Sequence, residues 1–276
     1  MSIQNLANLL PGQEIPIQNL KGKKAIITGA SSGIGLACAI KLAQEGCHLN
    51  LVARRKERLE TIKKEILEDF PQLEIQVFAG DINDTSFRND LLKSKVYESS
   101  DILVNNAGLA KGADSVAKAS EEDWETMIHT NMLSAFHVTK KFVESYKNNK
   151  RPVDIIHLGS TAAHYFYEGG SAYCASKVGF KAFHQSLRQE EVGEDIRCVM
   201  VSPGHVRTEF GDVRFSGDNA KVDKVYEGFM PLSAYDIANQ ILFALKQPRH
   251  VNIHEILSMS ISQASAAHLA RNGLLT

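Results

Sequence analysis

Short apolar runs alternate with longer stretches of helical periodicity along most of this chain. The runs are rich in β-branched residues and contain few polar positions, which is typical of strands buried on both faces of a parallel sheet. Each run is followed by a segment whose apolar residues recur with helical spacing, so the pattern favours an α/β fold with a doubly wound parallel sheet. We predict seven strands, at residues 24–28, 48–53, 74–79, 101–104, 153–158, 196–201 and 251–256.

The length of the chain suits a single domain with a substantial core, since it has 276 residues and one α/β domain of that size is common. We expect the domain to cover residues 21–260. Residues 1–20 precede the first strand and contain Pro11 and Pro16, so we expect an N-terminal arm, and residues 261–276 form a C-terminal tail.

A glycine-rich turn joins the first strand to the first helix. The sequence Gly29-Ala30-Ser31-Ser32-Gly33-Ile34-Gly35 follows the strand, and the helical periodicity of residues 36–45 ends before Gly46. Unpaired N–H groups at a helix N-terminus attract a pyrophosphate, and glycines let the backbone approach it closely. The spacing differs from the Gly-x-Gly-x-x-Gly of the commonest dinucleotide-binding turns. The context predicts a dinucleotide site; the alternative is an ordinary strand-to-helix loop.

Two arginines, Arg54 and Arg55, end the second strand, where an acidic residue would bind the adenosine ribose of NAD. Arginine at this place accommodates the 2′-phosphate of NADP, and its planar guanidinium suits phosphate recognition. The first acid after the strand is Glu57. We therefore expect NADP rather than NAD; the alternative interpretation is the solvated start of a charged helix.

Tyr173 and Lys177 are four residues apart in a helical stretch, so their side chains share one face of the helix. A free tyrosine titrates near pH ~10, and a neighbouring cation favours its phenolate, which brings the phenol toward the range of general acid–base catalysis. The pair alone is weak evidence, because this spacing is common in helices.

Together, the glycine-rich turn and the Tyr173–Lys177 pair resemble the short-chain dehydrogenase/reductase family. Further motifs follow strands in the order that the family has: Gly80-Asp81-Ile82, Asn105-Asn106-Ala107-Gly108, Asn131 in the long helix, Ser160, and Ser202-Pro203-Gly204 with Thr208. The resemblance covers about residues 22–257 and implies a Rossmann-type domain.

The resemblance implies a role for each matching residue. Tyr173 would exchange a proton with the substrate oxygen, Ser160 would hydrogen-bond that oxygen, and Lys177 would lower the pKa of Tyr173 and hold the nicotinamide ribose. Asn131 would support a water-linked proton path to Lys177. The residues expected to bind NADP(H), here called the cofactor set, are Gly29, Ser31, Ser32, Gly33, Ile34, Gly35, Arg54, Arg55, Asp81, Ile82, Asn106, Ala107, Gly108, Tyr173, Lys177, Pro203, Gly204, Val206 and Thr208.

Within the family, the chain is similar to the NADP-dependent 3-hydroxy acid dehydrogenases, also called serine or L-allo-threonine dehydrogenases. The similarity includes residues 208–210, 213–218, 225–228, 231–232 and 250–253, and Gln263. It implies a small 3-hydroxy acid as substrate, such as serine, allo-threonine or 3-hydroxyisobutyrate. Alternatives are a carbonyl or 3-oxoacyl reductase of broader scope and a non-catalytic NADP-binding regulator, which loss of the tyrosine or the lysine would favour.

Four residues are candidates for contact with such a substrate: Arg214, Arg207, His164 and His205. A 3-hydroxy acid carries a carboxylate, and arginine binds carboxylates through two hydrogen bonds. Arg214 lies in the segment that closes over the substrate in this family. The alternative for Arg214 is a surface ion pair with Asp212 or Asp218, at most about 1 kcal/mol.

Composition limits the range of partners. The formal net charge is −1, so no overall field attracts nucleic acid or an anionic membrane. No apolar run approaches the roughly 20 residues of a membrane span, and no secretory signal is evident. Cys38, Cys47, Cys174 and Cys198 are scattered, which indicates reduced cysteines and a cytoplasmic protein. No group of histidine, aspartate and glutamate residues has the spacing of a zinc site, so we expect no metal.

The long helix around Asn131 carries an apolar face formed by Trp124, Met127, Ile128 and Phe136. In the resembled family this helix and the helix at residues 172–193 contact another subunit. The resemblance therefore implies a homotetramer.

Overall fold

The computed structural model describes residues 15–273, apart from the side chain at position 92. Of the expected arm at residues 1–20, positions 1–14 lie outside the described residues, as do positions 274–276 of the tail. Nine strands are described: β1 (Lys24–Thr28), β2 (His48–Ala53), β3 (Ile75–Ala79), β4 (Ile102–Asn105), β5 (Val153–Leu158), β6 (Ile196–Pro203), β7 (Val206–Arg207), β8 (Leu232–Ser233) and β9 (Glu255–Ser258).

Seven of these strands form one sheet in the order β3-β2-β1-β4-β5-β6-β9. All six neighbouring pairs are parallel, and β7 pairs with β8 in a separate two-stranded sheet. The strand order reverses direction between β1 and β4, which makes their carboxyl ends the crevice where doubly wound sheets bind ligands. The predicted fold class and seven-stranded sheet are confirmed.

The helices lie on both faces of this sheet. They are α1 (Gly33–Gln44), α2 (Lys56–Asp69), α3 (Thr85–Lys93), α4 (Val96–Ser99), α5 (Glu121–Ile128), α6 (Ser134–Asn149), α7 (Ser171–Glu190), α8 (Phe210–Arg214), α9 (Asn219–Tyr226) and α10 (Ala234–Lys246), with a π-helical turn at His129–Leu133 and a 3₁₀ turn at Thr161–Ala163. In the described part of the chain, no helix is both long and apolar enough to span a membrane.

The core consists of two apolar layers separated by the sheet. One layer joins α1 and α10 to the strands through residues such as Leu42, Ile237 and Ile241. The other joins α6 to the opposite face through Val138 and Phe142. All five side chains are at most 1% exposed, and burial of each large one contributes about 1.5–3 kcal/mol.

The prediction for the last strand is wrong in position. It was expected at residues 251–256, but β9 occupies Glu255–Ser258 and begins its pairing opposite Met200. The reason is that the backbone turns at residues 248–251, where the Val251 N–H donates to the Pro248 carbonyl. The carbonyl of Val251 accepts from Arg197 at 3.4 Å instead of entering the ladder.

Arg197 of β6 forms a buried ion pair with Asp154 of β5. Arg197 donates to Asp154 Oδ1 at 2.8 Å, and both side chains are at most 3% exposed. The same guanidinium donates to the Leu245 and Gln247 carbonyls at the end of α10. Because these carbonyls have no helical partners, Arg197 ties β5 and β6 to the helix end while its own donors are satisfied.

The ends of the described chain are attached to the domain. The Gln18 backbone N–H donates to the Lys246 carbonyl at 2.8 Å, and Leu20 is fully buried. In the tail, the Gly273 N–H donates to the Gly228 carbonyl at 3.0 Å, and Arg271 Nη2 donates to the Val225 carbonyl at 3.2 Å. Residues 261–273 therefore lie against the domain and are tied to it by hydrogen bonds.

Two histidines form a pair in the core between β5 and α7. His157 Nδ1 and His184 Nδ1 are 3.1 Å apart, and the two side chains are at most 2% exposed. His157 Nε2 lies 3.0 Å from Thr139 Oγ1. Burial lowers the pKa of His184 to about 4 and holds the pKa of His157 well below its usual range. Both rings are therefore neutral at pH 7.

This pair predicts a loss of stability in mild acid. An unfolded histidine takes up a proton near pH ~6.5, whereas folded His184 does so only near pH 4. Stability is therefore lost as the pH falls below the unfolded value, by about 2 kcal/mol per histidine between pH 7 and pH 5. Urea unfolding at the two pH values is the measurement. His184→Gln should show a shallower loss than the wild type, and equal losses would contradict the assignment.

Candidate active site

The glycine-rich turn after β1 is joined to the end of β4 by a short polar contact. Asn106 Nδ2 donates to the Thr28 carbonyl at 2.9 Å, and Thr28 Oγ1 accepts the N–H groups of Asn106 and Ala107 at 3.0 and 2.9 Å. Gly29 has a φ of +68°. A Cβ added to Gly29 would lie 2.7 Å from Asn106 Nδ2, and one added to Gly35 would lie 2.3 Å from the Gly29 carbonyl oxygen. Side chains are therefore excluded at both positions.

A cavity of about 320 Å³ opens at the carboxyl ends of the central strands, within the usual size range of ligand sites. Every member of the cofactor set except Gly35 lines this cofactor cavity. Gly35 lies underneath, where it allows α1 to approach the turn. The unpaired N–H groups at the start of α1, the glycine backbone and the arginines at the rim fit a dinucleotide phosphate.

Arg55 is held at the adenine end of this cavity by both serines of the turn. Its guanidinium donates to Ser31 Oγ at 3.0 Å and to Ser32 Oγ at 2.8 Å. It also forms an ion pair with Glu209, 2.7 Å away, and the second Glu209 oxygen pairs with Arg58 at 2.6 Å. The two arginines hold the pKa of the Glu209 carboxyl below its usual range. Glu209 was not among the predicted site residues.

Arg54 and Asp81 face each other across the same rim, with a guanidinium nitrogen 3.9 Å from a carboxylate oxygen. The Asp81 side chain also accepts the Asn83 N–H at 2.9 Å, which fixes the turn after β3. Arg54 is 65% exposed. It is therefore free to turn toward an anion in the cavity at little cost, since exposed pairs contribute at most about 1 kcal/mol.

The phenol of Tyr173, the ammonium of Lys177 and the hydroxyl of Ser160 converge at the other end of the cavity. Lys177 Nζ lies 5.9 Å from the Tyr173 ring centroid and donates to the Leu158 carbonyl at 2.8 Å. Ser160 Oγ accepts the Ala162 N–H at 3.1 Å, and Ser160 lines both cavities together with Tyr173. Elements α7 and β5 thus bring together three of the four predicted catalytic residues.

The pKa values of this group differ from the expectation. Burial raises the pKa of Tyr173, and the groups that lower it are Ser160 and Arg214. Burial also lowers the pKa of Lys177 to about 8. Burial thus opposes the lowering of the Tyr173 pKa expected from Lys177, because both groups share a desolvated environment that disfavours each charged form.

Asn131 lies just outside the cofactor cavity, in the π-helical turn between α5 and α6. It is 1% exposed. Its Oδ1 accepts the Leu109 N–H at 2.8 Å, and its Nδ2 donates to the Leu109 carbonyl at 2.8 Å and to Ser176 Oγ at 3.0 Å. A Cβ added to Gly108 would lie 3.2 Å from Asn131 Oδ1 and 3.7 Å from Lys177 Nζ. Asn131 therefore joins the loop after β4 to α7.

A second cavity, of about 260 Å³, adjoins the first and shares Tyr173 and Ser160 with it. Arg214 lines this second cavity, donating to the Gly112 carbonyl and to the Tyr167 hydroxyl at 3.2 Å each. The expected alternative, an ion pair with Asp212 or Asp218, is not formed, and Asp218 pairs with Lys221 instead. Within residues 15–273, no carboxylate lies at ion-pair distance from Arg214.

His205 also lines the second cavity, whereas His164 and Arg207 do not. His164 Nε2 turns toward β9, 2.6 Å from Glu255 Oε1, and Lys181 of α7 contacts the same ring. Arg207 is 62% exposed and pairs with Asp223 at 3.3 Å. The structure therefore does not bring these two residues to the second cavity, and both side chains have charged partners on neighbouring elements.

Three residues of the site were missed besides Glu209. Tyr167 contacts Arg214, Gln263 contacts His205, and the Phe210 ring packs edge-on against Tyr173 with centroids 5.8 Å apart. Tyr167 lies in an irregular loop without a sequence signal. Glu209 and Phe210 belong to the motif that begins at Thr208, and Gln263 is part of the similarity to the 3-hydroxy acid dehydrogenases. The sequence could therefore have indicated these residues, unlike Tyr167.

The chain belongs to the short-chain dehydrogenase family, whose model matches residues 23–218. The sheet order, the glycine-rich turn and the Tyr173–Lys177 pair described above are the parts of the molecule that the sequence motifs had indicated.

Particular relatives carry more specific names. The chain is 39% identical, over 92% of its length and 99% of the relative's, to an NADP-dependent 3-hydroxy acid dehydrogenase of Schizosaccharomyces pombe. It is 35% identical, over 87% of its length and 95% of the relative's, to a serine 3-dehydrogenase of Agrobacterium fabrum. Among solved structures, the closed form of a serine dehydrogenase complexed with NADP⁺ superposes with a TM-score of 0.82 at 34% identity, covering 88% of this chain and 97% of that one. The resemblance to this branch is confirmed.

The close contact at Gly29 predicts a sharp effect on nucleotide binding. Gly29→Ala should weaken binding of NADPH by at least about tenfold, or 1.4 kcal/mol, because the added Cβ would push Asn106 from the turn. Gly22→Ala is the matched control, since Gly22 has a φ of +78° but nothing within 4 Å of an added Cβ. Fluorescence titration measures both. Equal weakening would assign the effect to backbone strain alone.

Proposed function

We propose that the protein is an NADP(H)-dependent oxidoreductase that transfers a hydride between the nicotinamide and a small 3-hydroxy acid of the serine, allo-threonine or 3-hydroxyisobutyrate type. One observation carries the substrate class: Arg214 lines the cavity beside Tyr173 and has no carboxylate partner among residues 15–273. A half-buried arginine in a cavity wall favours an anionic partner. The names of the relatives described above support the same substrate class.

The mechanism follows from the position of each side chain. Bound NADP(H) supplies the hydride chemistry, while the protein supplies position and charge. Tyr173 exchanges a proton with the substrate oxygen, and Ser160 hydrogen-bonds that oxygen while its own orientation is fixed by the Ala162 N–H. Lys177, held by the Leu158 carbonyl, binds the nicotinamide ribose. Asn131 supports the water-linked proton path toward Lys177.

The electrostatics favour a proton on Tyr173 before reaction. Burial raises the pKa of this phenol, so it is protonated at neutral pH and acts as an acid when a carbonyl is reduced. In the oxidative direction the phenolate must form, and the hydrogen bond from Ser160 and the charge of Arg214 both stabilise it.

The preference for NADP rests on the rim of the cofactor cavity. Arg54 and Arg55 follow β2, and Arg55 donates to both serines of the turn. A 2′-phosphate placed here would gain charge-assisted hydrogen bonds from a planar guanidinium. Asp81 faces Arg54 across this rim. Its position supports the adenine contact that the family assigns to this residue.

A broader carbonyl or 3-oxoacyl reductase and a non-catalytic regulator are less favoured. In a cavity that binds neutral ketones, an arginine without an acidic partner would carry a desolvation free energy that no ion pair offsets. A regulator would have no need of Tyr173, Lys177 and Ser160 in one cluster.

We further propose a cytoplasmic homotetramer. Tyr235 and Phe243 of α10 are 48% and 58% exposed, and Leu257 on the edge strand β9 is 39% exposed. Such a patch beside an unpaired strand edge is typical of an interface. Sedimentation at four times the chain mass is the test, and a monomer would contradict it. The four cysteines are unpaired, which supports a reducing compartment.

The test of the proposed function is an absorbance assay for NADPH formation. We expect turnover of L-serine, L-allo-threonine or 3-hydroxyisobutyrate with NADP, weaker turnover with NAD, and a loss of about 100-fold or more in Tyr173→Phe. Cys38→Ser is a control outside the site, since this thiol is buried in the core. Activity on neutral ketones alone would overturn the substrate class and keep the mechanism.

Arg214 should decide between acids and neutral substrates. Arg214→Ala removes the cation of the second cavity, so KM for 3-hydroxy acids should rise about 10- to 100-fold, the value of a charge-assisted hydrogen bond of about 1.5–3 kcal/mol. KM for simple secondary alcohols should change little. Arg207→Ala is the matched control, because it removes an exposed arginine seven residues away in sequence. A similar rise for both substrate types would contradict the role of Arg214.

A further inference from the structure

Gln263 of the tail forms hydrogen bonds to His205 through two different side-chain atoms. Its Oε1 accepts the His205 backbone N–H at 3.0 Å, and its Nε2 lies 2.7 Å from His205 Nδ1. The same Nε2 donates to the Ser265 carbonyl at 3.0 Å. These contacts connect a residue 58 positions away in sequence with the wall of the second cavity.

The direction of each hydrogen bond is fixed by the backbone. A backbone N–H can only donate and a carbonyl can only accept, so His205 N–H requires the amide oxygen and the Ser265 carbonyl requires the amide nitrogen. The Gln263 amide cannot be reversed without losing both bonds. Its nitrogen is therefore the donor toward the imidazole, and His205 Nδ1 is an acceptor.

An imidazole that accepts at Nδ1 carries its proton on Nε2 when it is neutral. The neutral form is favoured here, because burial lowers the pKa of His205 more than the hydrogen bond to Gln263 raises it, and the charge of Arg214 lowers the pKa further. The Phe229 ring stands edge-on to the imidazole, with centroids 6.0 Å apart. The orientation of the ring is thereby held by a hydrogen bond on one edge and an aromatic contact on its face.

The opposite edge of the imidazole ring carries the Nε2–H, which is a hydrogen-bond donor. Across residues 15–273, no acceptor forms a hydrogen bond with His205 Nε2, although His205 lines the second cavity together with Tyr173 and Arg214. We propose that His205 is a specificity-determining residue whose Nε2–H donates to the carboxylate of the substrate beside Arg214, and that Gln263 is the positioning residue that sets this tautomer. The proposal rests on the proposed function, since it requires an acid as substrate.

Gly204 makes this arrangement possible. A Cβ added to Gly204 would lie 2.2 Å from Gln263 Oε1, so a side chain at that position would displace the amide from His205. Gly204 belongs to the cofactor set, and the contact gives it a second role that is independent of the cofactor. The tail thus takes part in the site through the glycine that precedes His205.

A neutral donor next to a guanidinium has a chemical consequence for substrate choice. Arg214 supplies the charge, and the Nε2–H supplies a second hydrogen bond with a fixed direction. A planar carboxylate can accept both, one on each oxygen, whereas an alcohol or a ketone without the acid group offers no such acceptor. His205 therefore adds discrimination in favour of acids rather than affinity for every substrate.

The experiment compares KM and kcat for a 3-hydroxy acid and for a simple secondary alcohol in His205→Leu, His205→Gln and the control His250→Leu, whose side chain is exposed. We expect His205→Leu to raise KM for the acid about tenfold, with kcat and the alcohol kinetics nearly unchanged. His205→Gln retains a donor and should recover part of the loss. Unchanged acid KM in His205→Leu, or an equal rise for the alcohol, would overturn the proposal while the function stands.

Gln263→Glu tests the positioning role separately. A carboxylate cannot donate to Nδ1, so it would draw a proton there and raise the pKa of His205. The KM for the acid should then become pH-dependent between pH 6 and 8, rising with pH as the extra charge is lost, while the wild type shows no such step. A profile identical to that of the wild type would contradict the role of Gln263. A wild type inactive on acids but active on alcohols would refute the proposed function first, and the assignment of His205 with it.

Discussion

The contact between Gly29, Gly35 and Asn106 is the constraint on which the rest of the site depends. It lies between β1 and β4, where the order of the parallel strands reverses, and it leaves no room for a Cβ at either glycine. Because Asn106 Nδ2 donates to the Thr28 carbonyl, the end of β1 and the segment that follows β4 are held at a fixed separation. The cofactor cavity is the space that this fixed separation leaves open at the carboxyl edge of the sheet.

The two cavities are built from different kinds of structure. The cofactor cavity is lined mainly by strand ends, whose positions follow from the ladder and its register. The second cavity depends on segments that leave the sheet: α8 supplies Arg214, the loop before α7 supplies Tyr167, and Gln263 of the tail holds His205 in the cavity wall. Chemistry is therefore tied to the rigid sheet, while substrate choice is assigned to connections that can vary without disturbing it.

The sequence predicted most of the residues named here in the cofactor cavity, but only some of those in the second cavity. The glycine-rich turn and the Tyr173–Lys177 spacing are local patterns, so the chain order alone places them on a strand end and on one helix face. His164 and Arg207 do not reach the second cavity, because each side chain points toward a charged partner that the fold brings near, Glu255 and Asp223 respectively. The pKa of Tyr173 also depends on more than its spacing from Lys177, since desolvation is set by every neighbouring element.

The ion pair of Glu209 with Arg55 and Arg58 has a kinetic consequence. Glu209 immediately precedes α8, the helix that ends in Arg214, and its carboxylate engages the guanidinium groups that a phosphate dianion would also engage. An incoming 2′-phosphate must share or displace that carboxylate, and the helix that begins at the next residue carries Arg214 to the wall of the second cavity. An ordered addition, with the nucleotide arriving before the acid, is the sequence of events that this ion pair favours.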